Sequence, residues 1–130
     1  LYTVGAIKDV PGGLRYVGID GGMGDNIRPK LYGAKYTAVS AHQPLAETMQ
    51  QVTIAGKYCE STDLLIEDVR LPQLKAGELL CVPACGAYTL SESLSYNGIP
   101  RPEAVLVGNG QARVIRRRET LEDLLKYEVF

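Results

Sequence analysis

The feature that most constrains this chain is a succession of short β-rich runs punctuated mainly by Gly and Pro. Residues 1–10 are rich in β-branched and aromatic types and stop at Pro11-Gly12-Gly13. Runs at 15–20, 34–41, 51–57, 64–69 and 78–84 follow at short intervals. The last pair, 104–107 and 112–115, flanks Gly108-Asn109-Gly110-Gln111, where Asn and Gly tolerate the positive φ of a tight hairpin. Many short strands with turns of this kind predict a mainly β fold, a β-sandwich or Greek-key barrel. Helical signals are few. Residues 120–126 predict one short C-terminal helix, with Thr120 as N-cap, acidic residues in the first turn and Lys126 near the end. Residues 28–34 predict a single helical turn, because Pro29 suits a first helical position. Residues 42–51 carry no pattern and read as a loop.

A length of 130 residues fits one domain. The balance of 14 basic and 15 acidic residues leaves no cationic surplus to neutralise a phosphate backbone, so nucleic-acid binding is excluded as a main activity. With 45% hydrophobic residues the chain is not a disordered segment, and no apolar run approaches the ~20 residues a membrane-spanning helix requires. Cys59, Cys81 and Cys85 occur without a visible secretory leader, which predicts free thiols in a reducing, cytoplasmic setting. His42 is the single histidine, and no second ligand pair accompanies Cys81 and Cys85, so no metal site is expected. Because the chain begins at Leu1, it is expected to be a piece of a longer protein or a processed product.

Three clusters carry chemistry. Asp20-Gly-Gly-Met-Gly-Asp-Asn26 follows a strand and is rich in glycine. It could cradle a phosphate, but no helix of the right length follows, so a bulge or tight turn with close backbone approach is the simpler reading. Arg28 and Tyr32 are four residues apart and share a face of a helical turn. A guanidinium beside a phenol makes a carboxylate receptor, or simply a surface Arg packed over a ring. Tyr58-Cys59-Glu60-Ser61-Thr62-Asp63 ends a strand with a thiol, two carboxylates and two hydroxyls. Cys59 could donate a proton to a carbanion and Glu60 could grip an ammonium group. Alternatively, Ser61 and Asp63 cap a turn. Tyr88, after Gly86-Ala87, projects into a cleft or fills the core. Arg116-Arg117-Arg118 reads as a solvated face answered by Glu119, Glu122 and Asp123.

Taken together and in order, DGGMGDNIRPKLYGA, AGKYCESTD, CGAYTLSESLSYNGIPRPEAVLV and RRRETLEDLL are far more specific than any one piece. Over residues 1–129 the chain resembles the C-terminal β domain of the diaminopimelate decarboxylase family. These are fold-type III pyridoxal phosphate enzymes that make lysine. Ornithine and arginine decarboxylases share the cysteine and the Gly-Ala-Tyr more loosely.

The resemblance implies a full-length enzyme that decarboxylates meso-2,6-diaminopimelate to L-lysine in the cytoplasm, or in the plastid stroma of a plant. It implies that Arg28 and Tyr32 hold the distal carboxylate of the substrate, that Glu60 grips its distal ammonium, and that Cys59 is the proton donor. Tyr88 would touch both the phosphate of the pyridoxal 5'-phosphate cofactor and the substrate. Cys59 and Glu60 would reach across a homodimer interface into the neighbouring subunit's site. The cofactor lysine belongs to a preceding (β/α)8 barrel that is absent from this chain, so the isolated chain is expected to be inactive. Compared with the family's usual wording, Gly24 stands for Ser or Asn, Ile27 for Pro, Cys85 often for Thr, while a Met is usual near Glu92 and an Asn near Ser95. These neighbours are expected to tune the site and not abolish it. The alternatives are an ornithine- or arginine-type decarboxylase domain and a non-catalytic β module that binds a partner or small acid.

Overall fold

The structure, a computed structural model, describes residues 1–129. Six strands form one mixed sheet: β1 (Tyr2–Val10), β2 (Leu14–Ile19), β3 (Val39–Ser40), β4 (Gln50–Ala55), β5 (Leu64–Leu71) and β6 (Leu79–Cys81). Their spatial order is β3-β6-β1-β2-β4-β5. All neighbours are antiparallel except β2 and β4, which run parallel with Tyr16 opposite Thr53. The β1–β2 hairpin turns on Gly12 and Gly13, with φ of 96° and 82°, a region that costs a side chain dearly.

One apolar cluster joins Leu80 of β6, near one edge of the sheet, to Leu65 and Leu71 of β5 at the other. Strand twist curls the sheet so that its inner face encloses this core, giving the nearly closed, barrel-like β domain that the turn-rich sequence predicts. Val17 and Leu80 are wholly buried at 0% exposure, with Val4, Val52 and Ile54 beside them. Strand β4, next to the edge strand β5, buries Val52, Thr53 and Ile54 consecutively, so both of its faces are covered there.

Two expected strands are shorter than the sequence predicts. Of residues 34–41 only Val39–Ser40 pair, with Cys81 and Leu80. Gly33, at φ 63°, ends the preceding helical turn, and the chain then runs without a partner strand while Tyr36 packs on the core. Of residues 78–84 only Leu79–Cys81 are in the sheet. Pro83 has no N–H to give to a ladder, and Ala84 turns away at φ 57°.

The expected helical turn is α1 (Arg28–Tyr32), and a second one, α2 (Thr89–Glu92), follows the β6 region. A 3₁₀ turn spans Tyr96–Gly98. Strands β7 (Ala104–Gly108) and β8 (Gln111–Arg116) form a separate hairpin through Asn109 and Gly110, both at positive φ as the sequence requires. The C-terminal helix α3 (Leu121–Leu125) starts in a reciprocal cap. Thr120 Oγ1 accepts from the Asp123 N–H at 3.3 Å, and the Asp123 carboxylate accepts from the Thr120 N–H at 2.8 Å. No described helix is long and apolar enough to cross a membrane.

Candidate active site

The glycine-rich segment after β2 is a tight turn built for close approach. The N–H groups of Asp25 and Asn26 both donate to the Gly22 carbonyl, and the Gly22 N–H donates to Asp25 Oδ2. The Met23 N–H donates to Asp63 Oδ1 at 2.7 Å. With these N–H groups committed inside the protein, the segment is not the phosphate cradle that its glycines also allowed. The glycines are required by their neighbours instead. A Cβ on Gly22 would stand 2.5 Å from the Asp63 carboxylate, one on Gly24 2.2 Å from the Tyr58 hydroxyl, and one on Gly56 2.0 Å from Asp63 Oδ2. At Gly24, any side chain would find its space taken by Tyr58.

Asp63 is the hub of this region. It is buried, and besides Met23 it accepts from the Tyr58 N–H at 2.9 Å. Its own backbone carbonyl accepts from the Gly56 N–H at 2.9 Å. Residues 56–63 are therefore pinned at their base, and Cys59 and Glu60 are carried on the tip. This agrees with the capping role that the sequence allowed for Asp63, and it leaves the thiol of Cys59 exposed and free. Burial pushes the Tyr58 phenol up to about 12, with help from the charges of Asp25 and Asp63, so it stays a neutral hydroxyl.

The Glu60 carboxylate is held locally. It accepts from the Thr62 N–H and from Thr62 Oγ1, both at 3.1 Å, and from Tyr96 Oη at 3.4 Å. The Thr62 N–H first, then the hydroxyls, holds Glu60 below the usual carboxylate range, so it is an anion at neutral pH. Tyr96 also packs edge-on against Tyr58, with ring centroids 5.8 Å apart. Sequence reasoning missed Tyr96. The only available signal was a Tyr beside Asn97-Gly98 in a turn.

Arg28, Tyr32 and Tyr88 come together as a second group. Asn26 Oδ1 accepts from the Arg28 N–H at 3.3 Å and sets the start of α1. The Arg28 guanidinium then lies 5.2 Å from the Tyr32 ring centre and 4.6 Å from that of Tyr88. Two rings against one cation fix its orientation. Both rings are more than half exposed, Tyr32 at 61% and Tyr88 at 58%, so Tyr88 does not fill the core. The fourth member, Glu92 on α2, was not singled out as a site residue by the sequence. Its two oxygens lie 3.2 and 3.4 Å from Arg28 Nη1.

The two groups are neighbours without touching. The Leu94 N–H donates to the Gly24 carbonyl at 2.8 Å, so the segment carrying Tyr88, Glu92 and Tyr96 is laced to the glycine turn. Among the described residues, no hydrogen bond or ion pair links Cys59 or Glu60 to Arg28, Tyr32 or Tyr88. The structure thus holds two candidate half-sites, one cationic and aromatic, the other a thiol with a carboxylate. Elsewhere, Arg116 pairs with Glu119, Arg117 with Asp123 and Arg118 with Glu103, so Glu103, and not the expected Glu122, answers the third arginine.

A barrel-like β domain that carries these two half-sites defines a class, and comparison with known proteins agrees. The chain belongs to the pyridoxal-dependent decarboxylases as their C-terminal sheet domain, whose family model matches residues 1–86. It is 52% identical over 129 residues to the diaminopimelate decarboxylase of Bacillus subtilis, covering 99% of this chain and 29% of that protein. The Synechocystis diaminopimelate decarboxylase is 46% identical over 98% of this chain and 27% of its own length. Among solved structures, M. jannaschii diaminopimelate decarboxylase in complex with L-lysine superposes with a TM-score of 0.90 at 33% identity. That match covers 99% of this chain and 29% of the other. The lysine/ornithine decarboxylase of Vibrio vulnificus, at 22% identity and a TM-score of 0.66, shares the fold. The chain spans under a third of the length of the curated relatives described.

Proposed function

We propose that this chain is the C-terminal domain of a diaminopimelate decarboxylase, completing the substrate site of an enzyme whose cofactor lysine lies in a preceding barrel. The observation that carries the reading is Arg28, in contact with both the Tyr32 and Tyr88 rings and with about a quarter of its side chain left open to solvent. A diamine with two carboxylates needs a cation with hydroxyl donors at its unreacting end. Arg28 with Tyr32 supplies that for the distal carboxylate. Glu60, kept anionic by Thr62, supplies the counter-charge for the distal ammonium.

Pyridoxal 5'-phosphate, the cofactor of the family, fits the residues present. Among the described residues the Tyr88 hydroxyl has no protein hydrogen-bond partner, and its exposed ring can present that O–H to a phosphate. When bound, the cofactor supplies an electron sink for the pair left behind as carbon dioxide departs. The exposed Cys59 thiol would give its Sγ proton to the substrate carbon that loses its carboxylate, leaving a thiolate. The separation of the two half-sites fits a homodimer in which Cys59 and Glu60 serve the partner subunit's substrate while Arg28, Tyr32 and Tyr88 serve their own.

The test is carbon dioxide release by the full-length protein with pyridoxal phosphate on meso-diaminopimelate, ornithine and arginine in parallel. The expected result is a strong preference for diaminopimelate. Arg28→Ala should cost ~2–5 kcal/mol in kcat/KM for that substrate, the scale of losing one partner of a charge-assisted pair, and far less for ornithine. Equal use of all three substrates would discard the assignment.

A further inference from the structure

Arg28 is already engaged before any substrate arrives. Both oxygens of Glu92 approach one nitrogen, Nη1, at 3.2 and 3.4 Å. The two side chains are largely covered, with 24% and 27% of their surface exposed, so the pair is less screened than one in open solvent. Because Glu92 takes Nη1 alone, it leaves the two-point face of the guanidinium unfilled by its own oxygens. It nevertheless places a full negative charge beside the position a substrate carboxylate must occupy. A carboxylate that binds Arg28 there must displace Glu92 or tolerate a like charge across one guanidinium.

We propose that Glu92 is a resident counter-charge on Arg28, which weakens the site's grip on a distal carboxylate and so sets how sharply substrates carrying one are preferred. This rests on the reading of Arg28 as the carboxylate receptor. The Glu92 carboxylate bonds to Arg28 and acts through it, so it is a positioning and specificity residue. The substitution that isolates its charge is Glu92→Gln, because the amide keeps an oxygen that can accept from Nη1 and preserves the link between α1 and α2.

In the full-length enzyme loaded with pyridoxal phosphate, E92Q should lower KM for meso-diaminopimelate about 3- to 5-fold, with kcat changed less than about twofold. The inhibition constant of L-lysine, which keeps the distal carboxylate once the reacting one has left, should fall in step, while that of cadaverine, which has no carboxylate, should change less than about twofold in the same variant. In an Arg28→Ala background, E92Q should have no effect on KM for diaminopimelate. An unchanged or raised KM in E92Q, or equal shifts for diaminopimelate and cadaverine, would overturn the proposal. If Arg28→Ala raises KM steeply while E92Q is silent, only the role of Glu92 fails. If Arg28→Ala itself leaves KM untouched, the receptor reading fails and this inference falls with it.

Discussion

The six-stranded sheet and the β7–β8 hairpin are made from the same residue types, yet different forces order them. In the sheet, Val4, Val17, Val52, Ile54, Leu71 and Leu80 point into one shared core and are almost wholly covered. In the hairpin, Leu106, Val107, Val114 and Ile115 are 54–74% exposed, and the pair of strands forms a sheet of its own. A two-stranded hairpin has little stability by itself. Polar links supply much of its anchoring: the carboxylate of Glu119 binds Arg101 through Nε at 2.7 Å and also pairs with Arg116, while Arg118 pairs with Glu103. Local turn geometry and charge can thus specify a hairpin, but only a common interior makes apolar residues cooperative.

The sharpest way to break that comparison is to remove side chains from each region. Leu80→Ala in the barrel should destabilise by ~2–5 kcal/mol through lost burial and the cavity left behind. Val107→Ala in the hairpin should stay within ~0.5 kcal/mol. Urea unfolding of the full-length protein, with hydrogen exchange to localise the change, checks both. Equal losses would mean that the hairpin shares a core in the whole protein.

The next largest effect sets a fully buried carboxylate against a partly covered one. Asp63→Ala would strand the Met23 and Tyr58 N–H groups, at ~1–3 kcal/mol for each buried donor left unpaired. Asp63→Asn, which keeps one oxygen acceptor, should lose less. Unfolding midpoints of the two variants should rank in that order.

The hairpin counterpart is Glu119. Its hydrogen bonds from Arg101 hold its carboxyl at about 2, well below the ordinary 4.5. A pKa lowered by folding means stability that is complete above the ordinary value and is lost as pH falls from about 4.5 towards 2. Exchange protection of β7 and β8 should decline across that window. In Glu119→Gln it should already be lower at neutral pH, by on the order of 1 kcal/mol, and this part of the acid dependence should vanish.

What could be read in the sequence follows the same division. Local devices were legible: the Asn109-Gly110 turn, the Thr120 cap, the α1 turn at Pro29 and the shared face of Arg28 and Tyr32. Each depends on residues a few positions apart. The strand expected at 34–41 shrank to Val39–Ser40 because a strand needs a partner, and residues 34–38 have none. Glu92 and Tyr96 escaped notice because α2 is four residues long, without an apolar period. Their importance comes from Arg28 and Glu60, 64 and 36 positions away. The glycines of the turn announced close approach, but not that Asp63 and Tyr58 would be what approached.

Gly24 has one further consequence. Its carbonyl receives the Leu94 N–H, and its missing side chain makes room for the Tyr58 hydroxyl. The segment bearing Tyr88 and Glu92 and the segment bearing Cys59 and Glu60 therefore take their positions from the same few atoms. Their placement errors are correlated: whatever displaces this residue misaligns both half-sites at once, as two dimensions measured from one datum shift together when the datum moves.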